Sequence, residues 1–126
     1  MNTIEKTILV VEDEETLLRL LVDEFTTEGY RVLEAKNGVE GLAIALKEHP
    51  DLILLDIIMP RLDGIATLSK LREDEWGKTA RILILTNLEG DAEKTIKAIE
   101  NGVFEYFVKS RWTLESLKKR VKEKLQ

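Results

Sequence analysis

Five short runs of apolar, mostly branched residues recur along the chain and alternate with longer amphipathic patterns. The runs occupy residues 7–11, 31–35, 52–55, 81–85 and 105–108. Their length and their content of β-branched and aromatic residues favour strands over helices. Four of the five lack a clean alternation of polar and apolar residues, which is typical of strands covered on both faces.

The segments between these runs carry apolar residues at helical spacing, so we expect five helices. Asn37 and Thr113 stand where N-caps of the second and fifth helices are expected, and Asn101-Gly102 is a stop signal after the fourth. We expect most of the apolar stripes to face the core. Their members are Leu17, Leu18, Leu21 and Phe25; Val39, Leu42, Ala43 and Leu46; Ile65, Leu68 and Leu71; Ala92, Ile96 and Ile99; and Leu114, Leu117, Val121 and Leu125.

Five strand–helix units in series predict an α/β fold with a parallel sheet covered by helices on both faces, because parallel crossovers need a helix and are right-handed. The expected arrangement is a flavodoxin-like, doubly wound, five-stranded sheet of order 2-1-3-4-5. The 126 residues have the size of one domain, so we expect residues 1–126 to form a single domain with no second domain in this chain.

Composition narrows the classes of function. The chain has no cysteine, which excludes disulfides, thiolate metal sites and cysteine nucleophiles. Its net charge of −5 argues against direct nucleic-acid binding, and no apolar run approaches the roughly 20 residues of a membrane helix. We therefore expect a cytoplasmic protein without membrane or nucleic-acid contacts.

Polar residues follow the predicted strands where each strand ends. Glu12-Asp13 follow the first strand, Asp56 the third, Thr86 the fourth and Lys109 the fifth. The carboxyl ends of parallel strands share one edge, and ligands bind there at the point where the connections diverge. We therefore expect these side chains to converge on one crevice.

Three carboxylates in one crevice repel each other unless a cation lies between them. The available ligands are oxygens, and Mg²⁺ binds through one or two carboxylates together with water and phosphate. A carboxylate beside a metal, a lysine and a hydroxyl is also a plausible nucleophile that forms an aspartyl-phosphate. Taken singly, each residue has a plainer explanation, such as a helix cap for Glu12-Asp13 or a loop aspartate for Asp56.

The strand-end residues and their neighbours resemble the receiver domain of two-component response regulators. The resemblance covers essentially the whole chain and lies in ILVVEDEE, LILLDIIMPRLDG, ILILTN and EYFVKS, in this order. It implies a phosphoacceptor signalling switch that catalyses only its own Mg²⁺-dependent phosphorylation and autodephosphorylation. Asp56 would be the phosphoacceptor, and Glu12, Asp13, Asp56 and the backbone carbonyl of Ile58 would bind the Mg²⁺.

The same resemblance implies how the switch responds and what it contacts. Thr86 would move towards the phosphoryl group, Tyr106 would turn inward, and Lys109 would pair with the phosphate. The donor would be a sensor histidine kinase or phosphotransfer protein, or a small acyl or amido phosphate. The output surface would comprise the fourth helix, fifth strand and fifth helix, which would dock an effector protein or form a homodimer.

The chain departs from the family pattern after Lys109. The family usually has proline at the next position with a cis peptide bond, whereas this chain has Ser110. A cis bond without proline costs about 3–4 kcal/mol, so we predict a trans Lys109–Ser110 bond and a rearranged loop.

Three rival functions remain for comparison. A haloacid-dehalogenase-like phosphatase needs a second aspartate two residues after the nucleophile, where this chain has Ile58. Flavin binding, or another organic cofactor, is disfavoured because the acidic EDEE segment would repel its phosphate. A pseudo-receiver that acts as an interaction module without phosphorylation is the main alternative.

Overall fold

The protein forms one parallel sheet with helices on both faces. The computed structural model describes residues 5–56, 64–86, 100, 105–108 and 113–126, and for Thr86 and residues 105–108 it describes the backbone only. The strands are β1 (Thr7–Val11), β2 (Arg31–Ala35), β3 (Leu52–Asp56), β4 (Ile82–Thr86) and β5 (Glu105–Val108). Their order is β2-β1-β3-β4-β5, which confirms the predicted flavodoxin-like topology.

Four α-helices lie within the described ranges. They are α1 (Glu15–Thr27), α2 (Gly38–Glu48), α3 (Gly64–Glu73) and a C-terminal helix (Leu114–Leu125). The C-terminal helix corresponds to the fifth predicted helix, whereas the predicted fourth helix, with Ala92, Ile96 and Ile99, lies outside the described residues.

Two helix N-termini confirm the predicted caps. The Asn37 side chain accepts a hydrogen bond from the Glu40 N–H at 2.9 Å, and Thr113 forms a reciprocal capping box with Ser116. Such side-chain oxygens satisfy amide groups that have no partner within the helix, which stabilises each helix start by about 1 kcal/mol.

Two apolar layers cover the sheet, one on each face. Alternate strand residues such as Leu9 and Leu55 pack under α2 and α3, whereas Val10 and Leu54 pack under α1 and the C-terminal helix. β3 is buried along its whole length and β1 along all but its first residue, which explains their nearly continuous apolar sequence. The ends of these rigid strands therefore hold their following side chains at defined positions.

The predicted core face of α2 is wrong. Val39 and Leu46 are 46% and 37% exposed, Ala43 is exposed, and only Leu42 of that stripe packs against the core. The buried face contains Gly38, Gly41 and Ala45 instead. A Cβ added at Gly41 would lie 2.9 Å from the γ-carbons of Val11, so a close approach to β1 selects the small residues. In a helix that is apolar nearly all round, hydrophobic spacing does not identify this face.

Candidate metal and phosphoacceptor site

Glu12 follows β1 directly and lies in the interior of the protein. Its backbone N–H donates to the carbonyl of Ala35 at 3.0 Å, which continues the β1–β2 ladder past Val11. Its side chain is fully buried, and Oε2 accepts a hydrogen bond from the Glu14 N–H at 3.1 Å. The ladder and the turn into α1 together hold the Glu12 carboxylate at the end of the strand.

Asp13 continues from Glu12, and its side chain is exposed to solvent. Glu14, not Glu12 or Asp13, is the N-cap residue of α1, and its side chain makes no capping hydrogen bond. Glu12 is therefore not the cap of α1, which was the alternative explanation for the acidic pair. Its carboxylate instead accepts a hydrogen bond from the backbone N–H of the cap residue, Glu14.

Asp56 is the last residue of β3 and is only 3% exposed. It pairs in register with Leu85 of β4, and the preceding β3 residue, Leu55, pairs with Val11 of β1. A central strand flanked on both sides thus delivers one carboxylate to the carboxyl edge of the sheet. This position explains why an apolar run ends in an aspartate.

The three acidic side chains meet, as the sequence predicts. One carboxylate oxygen each from Glu12, Asp13 and Asp56 lies within 4.8 Å of the others. Three negative charges this close repel each other, and a divalent cation relieves the repulsion. The donors are all hard oxygens, and one of the three residues is open to solvent, so the set suits Mg²⁺ with retained waters.

Backbone positions bring two further predicted residues towards the same edge. Thr86 is the last residue of β4, directly after Leu85, the register partner of Asp56. Tyr106 pairs in register with Ile84, and Val108 pairs with Thr86. The side chains of Thr86 and Tyr106, and all of Ile58, Lys109 and Ser110, lie outside the described residues.

Sequence reasoning did not single out Lys36, which follows β2, the strand next to β1. Lys36 follows the last residue of β2, just as Glu12 follows the last residue of β1. The predicted strand order already makes β1 and β2 neighbours. The first residue after β2 could therefore have been identified from the sequence as a candidate for the same edge of the sheet.

The single histidine lies at the opposite edge of the sheet from the acidic cluster. His49 forms the C-cap of α2 in the left-handed conformation, as expected for a residue at a helix end. Its ring stacks on Trp76 with centroids 4.5 Å apart and an interplanar angle of 11°. Trp76 also packs against the core, so both residues have structural contacts.

Comparison with known proteins places the chain in one family. The sequence model of the response regulator receiver domain family matches residues 8–122 of this chain. The probable transcriptional regulator ycf27 of Porphyra purpurea is 39% identical over 109 residues, which cover 86% of this chain and 43% of that protein. The chain thus spans less than half of the length of this relative.

Many solved structures resemble nearly the whole chain, and two examples contain magnesium. TrrA of Thermotoga maritima, a response regulator in complex with Mg²⁺ and BeF, is 34% identical with a TM-score of 0.81, covering 95% of this chain and 99% of that one. The receiver domain of the sensor histidine kinase PA1611 of Pseudomonas aeruginosa has magnesium coordinated in its active-site cleft. It is 27% identical with a TM-score of 0.86, covering 97% of this chain and 98% of that one.

Among the described residues, no helix has the length and apolar character to cross a bilayer. The family match, the sheet order and the acidic cluster at the carboxyl edge agree with one another. This chain belongs to the response regulator receiver domain family of two-component systems.

Proposed function

We propose that residues 1–126 form a receiver domain that acts as a phosphoacceptor switch, with Asp56 as the phosphorylated residue. The observation that carries this proposal is the convergence of Asp56 with Glu12 and Asp13 within 4.8 Å. Asp56 belongs to a buried central strand, so its carboxylate is held in place for an in-line attack.

The phosphoryl group comes from the phosphohistidine of a sensor histidine kinase or a phosphotransfer protein. A carboxylate oxygen of Asp56 forms a bond to phosphorus as the phosphorus–nitrogen bond breaks, and the electron pair returns to the imidazole of the donor. The product is an aspartyl-phosphate. The domain promotes only its own phosphorylation and autodephosphorylation, so it is a signalling switch and not a turnover enzyme.

The residues present fit a magnesium ion. Glu12, Asp13 and Asp56 would hold it, with the backbone carbonyl of Ile58 as a further ligand, and when bound it neutralises the charge of the transferring phosphoryl oxygens. The magnesium found in TrrA of Thermotoga maritima and in the PA1611 receiver domain supports this assignment.

Thr86 and Lys109 would contact the phosphoryl oxygens, and Tyr106 would couple the site to the output face. Phosphorylation adds about two negative charges and three acceptor oxygens. The Thr86 hydroxyl moves towards them, and Tyr106 fills the space that Thr86 leaves. The backbone positions of Thr86 and Tyr106, at the end of β4 and in the neighbouring strand, support this pathway.

The remodelled face comprises the predicted fourth helix, β5 and the C-terminal helix. Its partner is a downstream effector protein or a second copy of the domain. We propose that the domain acts in the cytoplasm, where the kinase domains of two-component systems transfer their phosphoryl groups.

Acetyl phosphate with Mg²⁺ tests the proposal by intact-mass measurement. The wild type should gain the mass of one phosphoryl group, and Asp56→Asn should gain none. A wild type that stays unmodified, or a gain that persists in Asp56→Asn, would favour the pseudo-receiver alternative, in which the domain binds partners without phosphorylation.

A further inference from the structure

We propose that Lys36 guides anionic phosphodonors to Asp56 by offsetting the negative charge of the acidic cluster. This inference rests on the proposed phosphoacceptor function. It concerns the approach of donors whose phosphoryl group carries two negative charges, such as acyl phosphates.

The sheet register places Lys36 beside Glu12. Val11 pairs with Ala35, and the hydrogen bond from the Glu12 N–H to the Ala35 carbonyl carries the ladder one step further. Directly paired residues of parallel strands point to the same face of the sheet. Lys36 therefore follows β2 on the same face as Glu12, at the edge where Asp13 and Asp56 also lie.

The Lys36 ammonium is exposed and has no competing partner. Within the part of the chain that the structure describes, no ion pair joins it to a carboxylate. The nearby Glu40 carboxylate accepts hydrogen bonds from the Lys36 backbone N–H at 3.1 Å and from Asn37 Nδ2 at 3.4 Å. The positive charge of Lys36 is thus available to a group that approaches from solvent.

The opposing loop is uniformly negative. Residues 12–15 read Glu-Asp-Glu-Glu, whereas residues 36 and 37 are Lys-Asn. In these two fully described loops, Lys36 is the single cation. A dianionic donor that approaches Asp56 past these two loops meets this field, and the positive charge of Lys36 lowers the barrier to its approach.

Distance sets the size of the expected effect. Two strand spacings of about 4.8 Å separate β2 from β3, so the backbones of Lys36 and Asp56 lie about 10 Å apart along this edge, and the charge acts over a distance of this order. At that distance one charge changes the encounter rate of a dianion about two- to fourfold at low salt, and screening near physiological ionic strength removes most of the effect.

The test compares Lys36→Gln with Lys47→Gln. Lys47 is an exposed lysine in the last turn of α2, so its replacement changes the net charge equally at the far end of that helix. Acetyl phosphate is the probe. An Asp56 oxygen bonds to phosphorus while the phosphorus–oxygen bond to the acyl group breaks, and acetate leaves with the electron pair.

At saturating Mg²⁺ and low salt, Lys36→Gln should be phosphorylated about two- to fourfold more slowly than the wild type. Lys47→Gln should match the wild type, and Lys36→Arg should restore the rate because it restores the charge. The difference should shrink as salt is added.

A second measurement does not depend on phosphorylation. Titration with MgCl₂ alone, followed by calorimetry, should show tighter Mg²⁺ binding by Lys36→Gln, because the substitution removes a positive charge beside the cation site. A slower reaction together with tighter metal binding is a combination that a merely structural role would not produce.

The outcomes separate the two proposals. Equal rates for the wild type and Lys36→Gln, or a deficit that salt does not reduce, would overturn the role of Lys36 while leaving Asp56 as the phosphoacceptor. Unchanged Mg²⁺ affinity in Lys36→Gln would also contradict it. A wild type that acetyl phosphate never modifies would overturn the phosphoacceptor function and this inference with it.

Discussion

Lys118 Nζ of the C-terminal helix lies 3.4 Å from Glu24 Oε2 of α1, and the Lys118 side chain is only 18% exposed. Glu28 and Glu115 each approach the same nitrogen at 3.5 Å. The Lys118 ammonium therefore connects α1 with the C-terminal helix, the two helices that cover the face of the sheet on which Val10 and Leu54 lie.

The ion cluster predicts a pH-dependent contribution to stability. Desolvation lowers the pKa of Lys118, but Glu115, Glu28 and Glu24 together raise it by more, so its pKa lies above the ordinary value for lysine. A raised pKa in the folded state stabilises the protein below the unfolded pKa, and this contribution disappears as the pH rises through the folded pKa.

We therefore expect the stability difference between the wild type and Lys118→Gln to be constant at neutral pH and to shrink above about pH 10. Urea unfolding at a series of pH values measures it. Lys119→Gln, a change at an exposed position of the same helix, is the control and should show no such trend. A difference that persists undiminished at high pH would contradict the expectation.

Gly41 and Val11 should be energetically coupled. A Cβ at Gly41 would approach both γ-carbons of Val11 to 2.9 Å, so Gly41→Ala should lower the free energy of unfolding by about 1–3 kcal/mol despite the better helix propensity of alanine. In a Val11→Ala background the clash is absent. A double-mutant cycle should give a coupling of about 1 kcal/mol or more, whereas additive effects would show that α2 shifts without cost.

His49 combines backbone strain with a ring contact, and two substitutions separate them. Its φ angle is 49°, and its ring stacks on Trp76. His49→Ala loses the stack and keeps the strain, whereas His49→Gly loses the stack but adopts the left-handed conformation freely. We expect the glycine variant to be about 1 kcal/mol more stable than the alanine variant in thermal or urea unfolding. Equal stabilities would mean that this conformation imposes no strain.

Asp13 offers a test of the metal site that does not disturb the core, because its side chain is exposed. Removing its charge relieves repulsion with Glu12 and Asp56, so Asp13→Asn should be as stable as the wild type, or more stable by up to about 1 kcal/mol, without Mg²⁺. Its Mg²⁺ affinity should fall at least about tenfold. Glu15→Gln, an exposed change in the first turn of α1, serves as the control and should retain most of the affinity. Unchanged affinity in Asp13→Asn would exclude Asp13 as a ligand.

The sequence was sufficient to predict the sheet order and the acidic cluster. Strands such as β1 and β3 are buried on both faces, so their apolar runs are unambiguous, and the first polar residue after each run marks the shared edge. Glu12 and Asp56 are therefore identifiable without coordinates.

The buried face of α2 could not be predicted from the sequence in the same way. The apolar spacing of Val39 and Leu46 predicts burial, but Gly41 and Ala45 occupy the core because they allow the backbone of α2 to approach Val11. Steric fit between two particular surfaces decided this face, and steric fit depends on where both elements lie in space.

Local pattern alone therefore determined which residues end the strands, since burial and polarity are properties of each segment. Tertiary structure alone fixed how close these charges lie and how exposed they are: one oxygen each of buried Glu12, exposed Asp13 and buried Asp56 lies within 4.8 Å of the others. The physical reason is that electrostatic interaction depends on distance through space, and only the packed sheet sets that distance for residues far apart in the chain.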